Sequence, residues 1–197
     1  MPKETWRFFQ AFMKSPMVVA SVVPSSLFLK RRIVAAADLA TASVVVELGA
    51  GTGGTTRALL EAMDSRGRLI AIERTADFVP GLEAIEDERF ELVHGCASAI
   101  GEVLAERGYA GADVVVSGIP FSTMPETLSA EIITAVHDAL NPGGRFVAYQ
   151  FSGRVAEYTR PVMGRPTIQR EILNVPPMRV FTWEKKRADL DAAANAA

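Results

Sequence analysis

Apolar residues recur along this chain in two alternating rhythms. Five short runs are rich in β-branched and aliphatic residues: 44–48, 68–73, 90–94, 113–117 and 145–151. Between them, apolar positions fall three or four residues apart over 54–63, 76–84, 99–107 and 129–140. A short continuous apolar run is the pattern of a strand covered on both faces, and the longer period is that of a helix packed along one stripe. Their alternation predicts a parallel sheet with helices on both sides. Asn141-Pro142-Gly143-Gly144 marks a turn before the last of these strands.

Both ends depart from this rhythm. Residues 152–166 hold two prolines and two glycines and are expected to form a loop. The segments 167–175 and 178–184 flank Pro176-Pro177 with no helix between them, which predicts an antiparallel hairpin at the sheet edge. At the N-terminus, residues 3–14 fit one amphipathic helix. Lys3, Arg7, Gln10 and Lys14 share a face, and Trp6, Phe9, Phe12 and Met13 lie opposite, with Phe8 beside them. A second helix is expected to be capped by Ser25 or Ser26 and to run through Leu39. The organisation that follows is an amphipathic segment over 1–22, one domain over 23–187, and a frayed tail over 188–197.

Composition narrows the class. With 49% hydrophobic and 22% charged residues among 197, the chain is neither disordered nor fibrous. The lone Cys96 excludes an internal disulfide, and with only two histidines no Cys/His zinc set and no metal is expected. A reducing cytoplasm is the expected compartment. The longest uncharged run, between Lys14 and Lys30, is interrupted by Pro24 and shorter than the roughly 20 residues of a spanning helix, and nothing before it resembles a cleaved leader.

The net charge of -2 conceals an uneven distribution. Residues 1–40 carry six basic and two acidic groups, 41–150 carry seven and sixteen, and 151–197 carry eight and five. Two basic ends flanking an acidic middle point to an anionic partner met by the termini.

The chemistry concentrates after the first strand. Gly49-Ala50-Gly51-Thr52-Gly53-Gly54 allows a tight turn and close approach of a ligand to bare backbone, and the next helix aims its N–H groups at the same spot. Glu73, ending the second strand, is placed to accept hydrogen bonds from two ribose hydroxyls. An adenosine-containing cofactor is implied. The spacing of Gly49, Gly51 and Gly54 suits a dinucleotide, and Glu47-Leu48-Gly49-Ala50-Gly51-Thr52-Gly53 overlaps it as a second motif.

That second motif resembles the first motif of class I S-adenosylmethionine-dependent methyltransferases. The resemblance implies a Rossmann-like α/β fold with a mostly parallel seven-stranded sheet, an antiparallel C-terminal hairpin and the N-terminal amphipathic helix in front. In that family the residue matching Glu47 lies near the methionine part and the one matching Glu73 binds the ribose. Where family members often carry an acidic residue against the adenine, this chain has Cys96, within His94-Gly95-Cys96-Ala97.

The acceptor segment narrows the match. Adenine-amine methylases of nucleic acid have Asn or Asp followed by Pro-Pro-Tyr where this chain has Ser117-Gly118-Ile119-Pro120-Phe121, and a serine lacks the two-sided amide contact. Over about residues 5–186 the chain is similar to bacterial phospholipid N-methyltransferases. The shared features are the aromatic-basic N-terminal helix, Val23-Pro24-Ser25-Ser26, Glu47 to Gly53, Ser117 to Pro120, and Tyr149-Gln150-Phe151.

The resemblance implies methyl transfer from S-adenosylmethionine to phosphatidylethanolamine and its mono- and dimethyl forms, toward phosphatidylcholine. The expected cofactor set is Ser25, Ser26, Glu47, Gly49, Ala50, Gly51, Thr52, Gly53, Glu73, Arg74, Gly95, Cys96, Ala97 and Ser117. The expected catalytic set is Ser117 and Gly118, which hold the amine, and Tyr149 and Tyr158, which with Phe121 face its cationic products. Arg154, Arg160 and Arg165 are candidates for the lipid phosphate. Lys3, Trp6, Arg7, Phe9, Phe12, Met13, Lys14 and Phe121 are expected at the membrane, the cations worth about 1 kcal/mol each against anionic headgroups. The chain is thus expected to act as a peripheral protein on the inner face of the cytoplasmic membrane, with a phospholipid substrate and no nucleic acid. Two alternatives stay open: an rRNA adenine dimethylase-like RNA methyltransferase, and a non-catalytic cofactor-binding membrane adaptor.

Overall fold

A computed structural model describes residues 25–187. The amphipathic helix expected over 3–14, with its seven membrane candidates Lys3, Trp6, Arg7, Phe9, Phe12, Met13 and Lys14, and the tail at 188–197 lie outside the described residues. Seven strands form one sheet: β1 (Val44–Leu48), β2 (Arg68–Glu73), β3 (Phe90–His94), β4 (Ala112–Ser117), β5 (Leu140–Gln150), β6 (Thr167–Glu171) and β7 (Met178–Glu184). Their spatial order is β3-β2-β1-β4-β5-β7-β6. The first five pair in parallel, and β7 runs antiparallel to both β5 and β6.

The uninterrupted apolar runs are strands because both faces of the sheet are covered. In β1 every residue is buried. Val45 joins Leu29 and Ile33 of helix α1 (Leu27–Ala37) and Leu59 of helix α2 (Gly54–Ala62) in one core. Val46 and Leu48 join Ile132, Ile133 and Val136 of helix α5 (Glu126–Ala139) in the other. Helices α3 (Val79–Glu83) and α4 (Ile100–Glu106) complete the two layers. The chain moves outward from β1 to β2 on one side and returns to β4 on the other. The strand order therefore reverses at β1, which opens a crevice at the carboxyl ends of these strands.

Four expectations are corrected. First, the second helix stops at Ala37, because Asp38 adopts a left-handed conformation (φ 52°) and donates its N–H to the Val34 carbonyl. Second, residues 152–166 are not a loop but contain helix α6 (Val155–Met163), with Pro161 inside it. Val155 and Thr159, one turn apart, are buried against the core beneath α5, and Tyr158 packs beside them. That burial offsets the roughly 3 kcal/mol a proline costs within a helix. Third, β6 ends at Glu171 and leaves 172–177 as a loop. Fourth, Asn141 to Gly144 belong to β5, across a register shift opposite Ala112 and Val114.

Among the described residues no helix is long and apolar enough to cross a membrane.

Candidate active site at the carboxyl edge of the sheet

Where β1 ends, Gly49, Gly51 and Gly53 all have positive φ, at 76°, 54° and 75°, which side-chain-bearing residues rarely adopt. A Cβ at Gly49 would press to 3.2 Å on Ile119, and one at Gly53 would come to 2.8 Å from the Arg57 guanidinium. At Gly51 and Gly54 such an atom would face open space. Positive φ therefore favours glycine at all three positions, and Gly51 and Gly54 also leave backbone that a ligand can approach.

Two carboxylates flank this turn. Glu47 is 0% exposed. One of its oxygens accepts the Thr56 hydroxyl at 2.6 Å, and the other, Oε1, has no partner among the described residues. Burial pushes its pKa up to about 7, with the nearby Glu73 charge adding to the rise and the Thr56 hydrogen bond opposing it. A buried oxygen without a donor costs about 1–3 kcal/mol, more if charged. Glu73 is held differently. Its Oε2 accepts the Gly51 N–H at 2.9 Å and its Oε1 the Thr75 N–H at 2.7 Å. Each oxygen keeps a lone pair for a hydroxyl.

The ends of β2 and β3 adjoin. The Gly95 N–H donates to the Glu73 carbonyl at 3.0 Å, which brings Gly95, Cys96 and Ala97 beside Glu73. Arg74 is exposed, and its carbonyl lies 3.2 Å from His94 Nε2. Ser26 opens helix α1. Its hydroxyl caps α1 by accepting the Leu29 N–H at 3.1 Å, and its own N–H donates to Asn174 Oδ1 at 2.9 Å. With the neighbouring Ser25 it belongs to the corner between α1 and the loop after β6.

On the other side of β1, the Gly118 N–H donates to the Leu48 carbonyl at 3.0 Å and ties β4 to the glycine turn. Ser117 is fully buried, and its hydroxyl accepts the Ile119 N–H at 3.3 Å. The group above Gly118 is instead the Tyr149 hydroxyl, which occupies the space a side chain at 118 would need. That hydroxyl lies 3.3 Å from Thr55 Oγ1. Burial, with the Glu47 charge, pushes the tyrosine pKa up, so the phenol stays neutral. Tyr149, Thr55 and Gly118 thus meet beside Glu47.

One acceptor-side expectation is corrected. Phe121 is fully buried in the core and neither faces lipid nor lines an aromatic cage. A tight turn from Ile119 O to Phe121 N (3.0 Å) folds its ring inward, and the Gln150 amide holds the Ile119 carbonyl. Tyr158 packs half-buried on the same core. The Arg154 guanidinium is paired with Glu126 at 3.1 Å and Glu157 at 3.9 Å, which compensates its charge. Arg160 on α6 and Arg165 beyond it are exposed.

Three residues escape a reading of the sequence alone: Thr55, Thr56 and Asn174. For the two threonines a signal was present. They open a helix directly after the glycine turn, where the first helical turn faces the end of β1.

No family model matches the chain. An ornithine lipid N-methyltransferase of Singulisphaera acidiphila is 36% identical over 146 residues, which cover 73% of this chain and 76% of that protein. Among solved structures, the N-methyltransferase NodS from Bradyrhizobium japonicum WM9 matches 80% of this chain and 94% of its own, with a TM-score of 0.66 at 11% identity. TrmN from Thermus thermophilus matches 80% of this chain with a TM-score of 0.64 at 15% identity, and the match covers 48% of TrmN, about half its length. The two structures share the fold.

Proposed function

The chain belongs to the class I S-adenosylmethionine-dependent methyltransferases of the lipid N-methylating kind, and we propose that its acceptor is the primary amine of phosphatidylethanolamine, methylated at the membrane surface. The cofactor supplies an electrophilic methyl group on a sulfonium. The site suits such a molecule: Glu47 Oε1, without a partner among the described residues, can accept from its ammonium, Glu73 from its ribose hydroxyls, and Gly51 admits it against the backbone.

The observation that carries the acceptor reading is the Ser117-Gly118 strand end beneath Tyr149. No carboxamide or carboxylate stands at position 117 to grip a nucleobase amine from two sides. Gly118 instead leaves a narrow approach in which the neutral Tyr149 hydroxyl can accept an N–H. An alkylammonium, with a pKa near 10.4, must lose a proton before it attacks. The residues on this edge position the nitrogen and keep water from it. A second reading, ornithine lipid as the acceptor, is favoured by the 36% identity to the Singulisphaera protein. The two acceptors share an exposed primary amine carried on acyl chains. The basic ends of the chain support action on an anionic membrane from the cytoplasmic side.

The test is methyl transfer from labelled cofactor with phosphatidylethanolamine vesicles, ornithine lipid vesicles and total RNA offered in parallel. Label in phosphatidylethanolamine and its methylated forms is expected. Label in ornithine lipid alone selects the second reading, and label in RNA with none in either lipid overturns both.

A further inference from the structure

Eight large apolar side chains are prominently exposed among the described residues, and their distribution is uneven. Six of them, Leu27, Phe28, Phe151, Ile172, Leu173 and Val175, gather at the carboxyl edge of the sheet. Pairing shows why. Glu171, the last residue of β6, faces Met178, the first of β7, and Arg179 faces Gln150, the last of β5. The 172–177 loop therefore emerges on the same edge as the ends of β1, β4 and β5. The hydrogen bond from Ser26 N–H to Asn174 joins the start of α1, with Leu27 and Phe28, to that loop.

The loop is built with its polar groups inward and its apolar groups outward. Asn174 is buried, and its amide also donates to the Pro176 carbonyl at 2.8 Å. Glu171 is buried as well. It accepts the Leu173 N–H at 2.8 Å and pairs with Arg32 at 3.0 Å. With the backbone tied down in this way, Ile172 is 75% exposed, Leu173 59% and Val175 51%. Such a patch on a water-soluble surface marks an interaction site.

Charge identifies what it meets. Arg170 and Arg179 stand directly opposite each other on β6 and β7, both exposed, and neither has a carboxylate partner among the described residues. Like charges in such a cross-strand pair repel, and an anion between or beside them relieves that. Arg31, one turn along α1 from Phe28, is exposed and likewise unpaired among the described residues. Apolar side chains that project from a cationic rim are suited to the boundary between headgroups and acyl chains.

We propose that the 172–177 loop and the start of α1 form a rigid membrane-docking face whose occupant is an anionic phospholipid bilayer. This rests on the lipid reading above and adds to it a second anchor, separate from residues 1–22. Because the face shares its edge with the glycine turn, docking brings the bilayer surface to the crevice where the methyl group is presented.

The test uses the full chain. Binding is measured to phosphatidylcholine vesicles with and without phosphatidylglycerol, alongside affinity for S-adenosylhomocysteine. The Ile172→Asp, Leu173→Asp double variant should bind phosphatidylglycerol-containing vesicles about tenfold or more weakly, the scale of one well-buried aliphatic side chain, with its affinity for the nucleoside kept. The Arg170→Glu, Arg179→Glu variant should lose the preference for phosphatidylglycerol. Unchanged vesicle affinity in the first variant, or an unchanged preference in the second, overturns the proposal. So does a wild-type dimer that the first variant converts to monomer with vesicle binding intact, because the face then belongs to a second copy. A separate arm measures methyl transfer by the wild type to detergent-dispersed aminolipid. Its absence sinks the lipid-amine reading while the vesicle measurements still decide the docking face.

Discussion

The β1–α2 corner and the β6–β7 loop lie on the same edge of one sheet and are built in opposite senses. At the corner, charge points inward: Glu47 is buried with one oxygen unpartnered among the described residues, and Glu73 is pinned by two backbone amides. At the loop, the buried polar side chains are satisfied, and the surface is left to Ile172, Leu173 and Val175. The corner bears a cost that a cationic, hydroxyl-rich ligand offsets, and the loop one that an apolar medium offsets. Each region's unfavourable feature points to the ligand chemistry proposed for it, a polar methyl donor at the corner and a bilayer at the loop, on one shared edge.

The contrast can be broken most forcefully at Phe121, which belongs to neither region. Phe121→Ala should cost about 3–5 kcal/mol of stability through the cavity left in the core, read from urea unfolding, with vesicle affinity unchanged. Intact stability with weakened vesicle binding would restore its expected place at the membrane.

Glu47→Gln probes the corner. The folded carboxyl has its pKa raised from 4.5 to about 7, so between those values the native state holds a proton that the unfolded chain has lost. Stability therefore falls as pH rises through this window, by up to about 3 kcal/mol. The variant should match the parent near pH 4, exceed it by about that amount at pH 8, and bind S-adenosylhomocysteine more weakly. In the parent, that affinity should rise with pH through about 7, as the ionised carboxylate becomes available to the ligand ammonium. A parent that gained stability relative to the variant over the same range would overturn the assignment.

The smallest effect is expected at Arg154. Its pairs with Glu126 and Glu157 are exposed, so Arg154→Ala should change stability by less than about 0.5 kcal/mol and leave the KM for aminolipid within about twofold. A tenfold rise in KM would show that the guanidinium leaves its carboxylates for a lipid phosphate.

How much could be read in advance depended on how local the cause was. The strands at Val44–Leu48 and Arg68–Glu73 coincide with their expected bounds, because burial on both faces demands an unbroken apolar run within the strand itself. The glycine turn is equally local, since positive φ and open space are properties of adjacent residues. Helix α6 was hidden behind Pro161 and Gly164. Its support comes from Val155 and Thr159 packing under α5, which no feature of 152–166 announces. Phe121 follows a strand end and looked exposed, and only the turn at Ile119 and the Gln150 amide bring it inside.

By itself, the order of residues determined the alternating α/β class, the antiparallel ending and the Glu47 to Gly53 turn with Glu73 beyond it. These follow from hydrophobic period and backbone freedom, which act over a few residues. Only the tertiary structure decided that Tyr149 stands over Gly118, that Thr56 partners Glu47, that Arg154 is neutralised by Glu126, and that Ser26 and Asn174 join across 148 positions to aim an apolar loop along the cofactor edge. Each of these depends on strand order and register. Those are set by the packing of the whole sheet between its two helix layers, so they cannot be read from any one segment.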